Sequence, residues 1–175
     1  MPWAYNEPMR EAFLPLPDES RLWVRALDRA LDAEGRQRLE AGLTEVLGNW
    51  RHKGHVYEGA WEIFEDRLLV VVEPNMATNP SGCAIDGMLR KVDRLTQEAG
   101  AALMDEDQVI FRVGGQLRAM PKAEVGERLA DGTLGAETPV LDLALFNLGQ
   151  LRQGLLEKPL ARTWIGRKYK VAVPA

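Results

Sequence analysis

One cysteine stands in the chain, in Ser81-Gly82-Cys83-Ala84-Ile85-Asp86, where an aliphatic run leads through a polar loop into an amphipathic segment. A thiol at a helix start lies beside unpaired backbone N–H groups and the positive end of the helix dipole, which favour thiolate. Asp86, one turn along, works the other way, because a nearby carboxylate raises a thiol pKa. A nucleophilic cysteine also needs a base, and His52 and His55 are the only histidines. They follow the first predicted helix. With both predicted helices running in the same sense, they are expected at the end remote from Cys83. Gly54 between them breaks the spacing that would fix a ligand pair, so no metal site is expected. Glu62, Glu65, Asp66 and Glu73 are the remaining source of paired carboxylates, but alternating acids on a hairpin read as its solvated side.

The loop from Asn75 to Gly82 enters a helix N-terminus and carries Asn79, Ser81 and Gly82, a composition suited to an anion cradle. It has no phosphate-loop lysine, and no Gly-x-x-x-x-Gly-Lys-Ser/Thr occurs anywhere, which excludes a P-loop ATPase. Gly-x-Ser-x-Gly, His-Glu-x-x-His and the dinucleotide glycine fingerprint are absent too, and no cofactor is expected. At about 100° per residue, Cys83 falls opposite the stripe Ile85, Met88, Leu89 and Val92. Cys83, Gly87, Arg90 and Arg94 then share the outward face. Cys83 and Gly87, one turn apart, make a small-residue patch on which another segment could rest.

Several elements must position these residues. Residues 1–20 contain Pro2, Pro8, Pro15 and Pro17 and read as an extended arm. Leu22 to Leu27 is a β-prone first strand. Leu39, Leu43, Val46, Leu47 and Trp50 recur at helical spacing behind the N-cap candidate Asp32, and this helix should stop near Arg51-His52-Lys53-Gly54. Trp61 to Phe64 and Leu68 to Val72 read as a hairpin, its second strand buried on both faces. A polar loop from Pro74 to Gly82 leads into the second helix, with Asn79 or Ser81 as its cap. Val109 to Val113 is a strand that returns through the Gly114-Gly115 turn along Gln116 to Met120. A helix from Pro121 to Ala130 ends at Asp131-Gly132. Leu141 to Phe146 fits strand or helix equally.

Strand, helix, strand, strand, helix, strand is the order of an α+β, ferredoxin-like split βαβ sandwich (βαββαβ), here with an added hairpin strand, a helix and a C-terminal extension. The expected division is an arm over 1–20, a sandwich domain over 21–135 and an extension over 136–175 packed on that domain. The formal net charge is −4, which argues against general nucleic-acid binding. Residues 151–175 hold six basic residues and one acid, so a +5 tail bearing Trp164, Ile165, Arg167, Lys168 and Tyr169 follows a body of −9. Tail docking on its own body is the simplest account, and a partner or anion site the other. A lone cysteine excludes an internal disulfide, and the first residues have neither a basic nor an apolar signal region, so a cytoplasmic location is expected. The longest purely aliphatic run, Leu68 to Val72, is far short of the ~20 residues of a membrane span.

Trp50 to His55, Trp61-Glu62-Ile63-Phe64, Ser81 to Asp86, Asp131-Gly132-Thr133-Leu134 with Thr138 and Val140, and Thr163-Trp164 with Arg167 occur together in order. This set resembles a family of small, uncharacterised bacterial proteins often labelled ABC-transporter ATPase, over roughly residues 20–168. The missing phosphate loop contradicts that label, and the acidic pair usual in that family is Glu73-Pro74 here. The resemblance implies a common fold and no chemistry. Three functions follow as expectations. The first is a non-enzymatic binding module using Asn79, Ser81, Gly82, Cys83, Asp86 and Gly87 with Trp164, Arg167 and Lys168 as one composite surface for a protein partner or small anionic ligand. The second is a thiol-dependent enzyme or redox sensor using Cys83, and the third a small structural subunit joined through an open sheet edge.

Overall fold

The computed structural model describes residues 12–73 and 79–175. The anion-cradle residues 75–78 and the first eleven residues of the expected arm lie outside that range. Among the described residues the chain is α+β, with antiparallel sheets and five helices, none long and apolar enough to cross a membrane. It divides into two compact units. The first comprises residues 12–104 and 143–153, the second Asp105–Asp142 and Gly154–Ala175. This differs from the expected division, because the chain leaves the first unit after Met104 and re-enters it at Leu143.

In the first unit, β1 (Arg21–Ala26) and β4 (Ala60–Phe64) flank β5 (Leu68–Glu73), both antiparallel to it. As its unbroken apolar run predicts, every residue of β5 is buried. The β4–β5 hairpin turns through Glu65 and Asp66 at φ of +50° and +55°. Helix α1 (Ala33–Gly48) starts on Asp32, whose carboxylate accepts the Gly35 N–H at 2.7 Å. It ends on Asn49, earlier than expected. The basic-glycine signal belongs instead to a hairpin of β2 (Arg51–His52) and β3 (His55–Val56), where Lys53 and Gly54 take φ of +48° and +81°. Helix α2 (Gly82–Glu98) buries Ala84, Met88, Val92 and Thr96. With Leu39, Leu43 and Leu47 of α1 and Ile63, Leu69 and Val71 of the sheet, its apolar residues make one core.

The two helices run antiparallel, which corrects the expectation of a common sense. A Cβ added at Gly35, near the start of α1, would fall 2.3 Å from the Ala99 carbonyl oxygen beyond the end of α2. One at Gly42 would fall 2.5 Å from Leu95. At the far end of α1, the Trp50 indole N–H donates to the Ala84 carbonyl in the first turn of α2 at 3.1 Å. A strand–helix–strand–strand–helix order on an antiparallel sheet requires this, since each helix runs against the strand before it and those two strands are antiparallel. Residues 12–20 form turns, and Phe13 among them is fully buried.

The strand expected fourth in that sheet, β6 (Gln108–Val113), pairs elsewhere. In the second unit the sheet order is β7 (Gln116–Pro121), β6, β8 (Pro139–Leu141), β9 (Glu157–Pro159). Gly114 and Gly115 turn the β6–β7 hairpin at φ of +60° and +78°, as their sequence predicts. Helix α3 (Val125–Ala130) follows a short 3-10 turn, and Gly132 lies just past its end at φ +80°. Residues 138–175 supply β8, helix α4 (Leu148–Arg152), β9 and helix α5 (Trp164–Tyr169). Val109, Phe111, Val125, Leu134, Val140, Leu160 and Ile165 form the core of this unit. The place beside β1 is held instead by two isolated bridges, Arg21 to Asn147 and Leu27 to Leu103, the latter closed by hydrogen bonds of 2.9 Å from Asp28 N–H to Ala102 and from Met104 N–H to Ala26.

Candidate functional site

Ser81 sits at φ −66°, ψ 161°, and its Oγ accepts the Ala84 N–H at 3.2 Å, so it is the cap of α2. Gly82, Cys83 and Asp86 are exposed around that start, and a Cβ at Gly82 or Gly87 would meet nothing within 4 Å. The expected outward face is present, with Arg90 and Arg94 exposed along it, and no described residue covers Gly87.

Two residues outside the expected composite surface stand at this end of the sheet, Glu73, expected on a solvated side, and Arg21. Glu73 ends β5 and is 0 % exposed, and across the ladder Arg21 places Nη2 3.8 Å from its Oε2. The same guanidinium reaches Asn79, with Nη2 3.5 Å from Oδ1, and lies 6.0 Å from the Trp23 ring centroid. Asn79 itself takes φ +36°. Arg21 therefore ties a buried carboxylate to the residue two before the helix cap. The signal was present in the sequence: a charge that closes a doubly buried aliphatic run needs a counter-charge or solvent, and an arginine opens the neighbouring strand.

Acids expected on a solvated side divide differently. Glu62 is 4 % exposed and Glu73 0 %, which corrects that expectation, because β4 and β5 are covered on both faces. Register places Glu62 opposite Val70 and Glu73 opposite Arg21, hence on opposite faces of the sheet, where they form no carboxylate pair. At the hairpin turn, Glu65 is exposed and Asp66 accepts from Arg36 Nη1 at 2.6 Å.

The histidines lie at the same end of the first unit as Cys83, a further consequence of antiparallel helices. Trp50 and Tyr57 close their hairpin by a Tyr57 N–H to Trp50 carbonyl bond of 2.8 Å and by rings 5.1 Å apart, and Trp50 holds it to Ala84. His52 and His55 are paired across the two short strands. No three of His, Cys, Asp and Glu converge as a metal cluster among the described residues.

Trp164, Arg167 and Lys168 belong to α5, in the second unit. Thr163 Oγ1 accepts the Ile165 N–H at 3.2 Å, and Lys170 follows the helix at φ +53°. Trp164 remains 39 % exposed, with the Lys122 and Lys168 ammonium groups each 5.9 Å from its ring centroid. Cation–π contact at such a surface contributes about 0.5–1 kcal/mol. The residues expected to form one composite surface thus fall in two units, the α2 start in one and the basic aromatic patch in the other.

Three carboxyls are shifted, and Asp131 is one of them, held below the ordinary carboxylate range by hydrogen bonds from Thr133. Arg29, with the Ala102 N–H, holds Asp28 below the ordinary carboxylate range. Burial pushes Asp93 upward, opposed by Arg25 at 3.5 Å. No protein-family model, curated protein or solved structure matches the chain.

Proposed function

We propose that this chain is a non-enzymatic binding protein whose principal surface is the start of α2. Asn79, Ser81, Gly82, Cys83, Asp86 and Gly87 present it, and Arg21 anchors it. The observation that carries this reading is the ion pair of fully buried Glu73 with Arg21, which also holds Asn79. Burying a charge is costly, and here it fixes an exposed helix start with open space beside Gly87. The ligand class is a protein partner or small anion, met by helix N–H groups and the Arg21 guanidinium. The Trp164, Arg167 and Lys168 patch is a second contact surface. We read the first unit as a split βαβ sandwich, close to the ferredoxin-like order, in which the Leu27–Leu103 bridge replaces a fourth strand. Its single cysteine favours the cytoplasm.

Gly87→Leu tests this reading directly. With nothing from another described segment within 4 Å of the added Cβ, the variant should fold with stability within about 0.5 kcal/mol of the parent. Quantitative affinity capture from lysate should then lose the proteins that the parent chain retains. An unchanged capture profile for Gly87→Leu overturns the α2-start surface, and an unchanged profile for Arg167→Glu overturns the second contact.

One observation favours a second reading, a thiol-dependent activity: Cys83 is exposed and shares its end of the unit with the histidine hairpin. Iodoacetamide should then label native Cys83 with a midpoint below about 7, and His55→Ala should slow the labelling. A midpoint at the ordinary thiol value, near 8.5, removes this reading.

A further inference from the structure

The outer edge of β1 is paired at both ends and open in the middle. Leu27 N–H donates to Arg67 at 2.9 Å, so residues 21, 23 and 25 direct their backbone groups toward β5, while 22, 24 and 26 direct theirs to the opposite edge. There Leu22 N–H donates to Phe146 at 3.1 Å, and Ala26 accepts from Met104 N–H at 2.9 Å. Val24 lies between them, and among the described residues its N–H and C=O have no backbone partner on that side. A cleft of about 240 Å³ opens beside it, lined by Val24, Arg25, Ala26, Leu103, Met104 and Leu143.

The shape of this cleft limits its occupant. The bridges Arg21–Asn147 and Leu27–Leu103 stand six residues apart on β1, roughly 20 Å at 3.3 Å per residue, and close the edge at both ends. A strand cannot run through, and the volume is below the roughly 300–1,000 Å³ of a drug-sized site. Its lining residues are apolar apart from Arg25, and backbone and guanidinium polar groups share the exposed surface with them. That guanidinium is in charge contact with Asp93 at 3.5 Å, yet Arg25 Nε is buried and makes no hydrogen bond. The Asp93 atom facing it, Oδ1, makes none either. The cleft thus offers apolar side chains beside polar groups, with one cation that has unused donor capacity and one backbone donor–acceptor pair.

We propose that this cleft binds a short aliphatic monocarboxylate, its carbon chain against Leu103, Met104 and Leu143 along the Val24–Ala26 edge and its carboxylate on Arg25. Free acids and the C-terminal residue of an apolar peptide share this chemistry. The site is separate from the α2 start and does not depend on that reading.

The test is a backbone-amide NMR titration of the full chain with 4-methylpentanoate. Saturable shifts centred on Val24, Ala26, Leu103 and Leu143 are expected, with 4-methylpentanamide binding at least about tenfold more weakly. In the Arg25→Gln, Asp93→Asn double variant, which removes both charges together, the acid should lose about the same factor. Equal affinity for acid and amide overturns the proposal, as do shifts centred elsewhere or none that saturate by about 50 mM. The acid–amide comparison needs no variant, so it decides even where the double variant fails to fold. N-acetyl-leucine separates the sources: tighter binding than 4-methylpentanoate identifies a chain terminus paired with Val24, and weaker binding a free acid.

Discussion

Arg21 links the α2 start to the sheet through Asn79 and Glu73. It is one-third exposed, while its partner Glu73 is fully buried, so the pair is neither a screened surface bridge nor a wholly interior one. Arg21→Met should therefore cost about 1–3 kcal/mol in urea unfolding, between the values for those two classes. Backbone amide shifts at Asn79 and Ser81 should move with it, and unchanged shifts there would mean that Arg21 does not organise the helix start. Asp28 and Asp93 should respond oppositely to pH. Asp28 has a lowered folded pKa, so its contribution is present above about 3.9 and disappears as pH falls through the lowered value. Asp93 has a raised one, so the fold holds its proton longer and loses stability as pH rises beyond about 3.9 toward the raised value. Carboxyl carbon NMR titration should give midpoints on opposite sides of the ordinary value. The Ala102 amide, bonded to Asp28 Oδ1 at 3.0 Å, should titrate with Asp28.

The close approach of α1 and α2 rests on glycine, for two different neighbours. At Gly35 an added methyl meets a backbone carbonyl, which cannot move without shifting the end of α2. At Gly42 it meets the terminal methyls of Leu95, which can rotate. Gly35→Ala should therefore lose about 1–3 kcal/mol despite alanine's better helix propensity, and Gly42→Ala distinctly less. Urea midpoints of the two variants measure the difference, and equal losses would contradict the packing. Much of these elements was legible beforehand. The Asp32 and Ser81 caps, the apolar stripe of α2 and the Gly114-Gly115 turn each depend on residues within a few positions of one another. The direction of α1 against α2 differs from the sequence expectation, and with it the location of His52 and His55. Helix direction is set by the strand that launches each helix, and β1 and β5, which launch α1 and α2, are antiparallel.

Among the described residues the chain crosses between its two units three times, after Met104, Asp142 and Gln153. Leu160 and Ile165 return from the last segment to the core containing Val109, Phe111 and Val140. Truncation after Gln153 should therefore leave amides of β6 and β7 exchanging rapidly with solvent while those of β1 and β5 stay protected, as hydrogen exchange with mass spectrometry would show. Loss of protection in β1 and β5 as well would mean that the first unit cannot stand without the second. Composition and periodicity had marked every main strand and helix up to Ala130, along with the absence of a phosphate loop and the exposed face at Cys83 and Gly87. These are properties of spacing along the chain, set by backbone geometry and by contacts between near neighbours. Which sheet receives Gln108–Val113 and which acids of the β4–β5 hairpin are buried followed from folding alone. Apolar burial has no direction of its own, and a strand's partner can come from dozens of residues away.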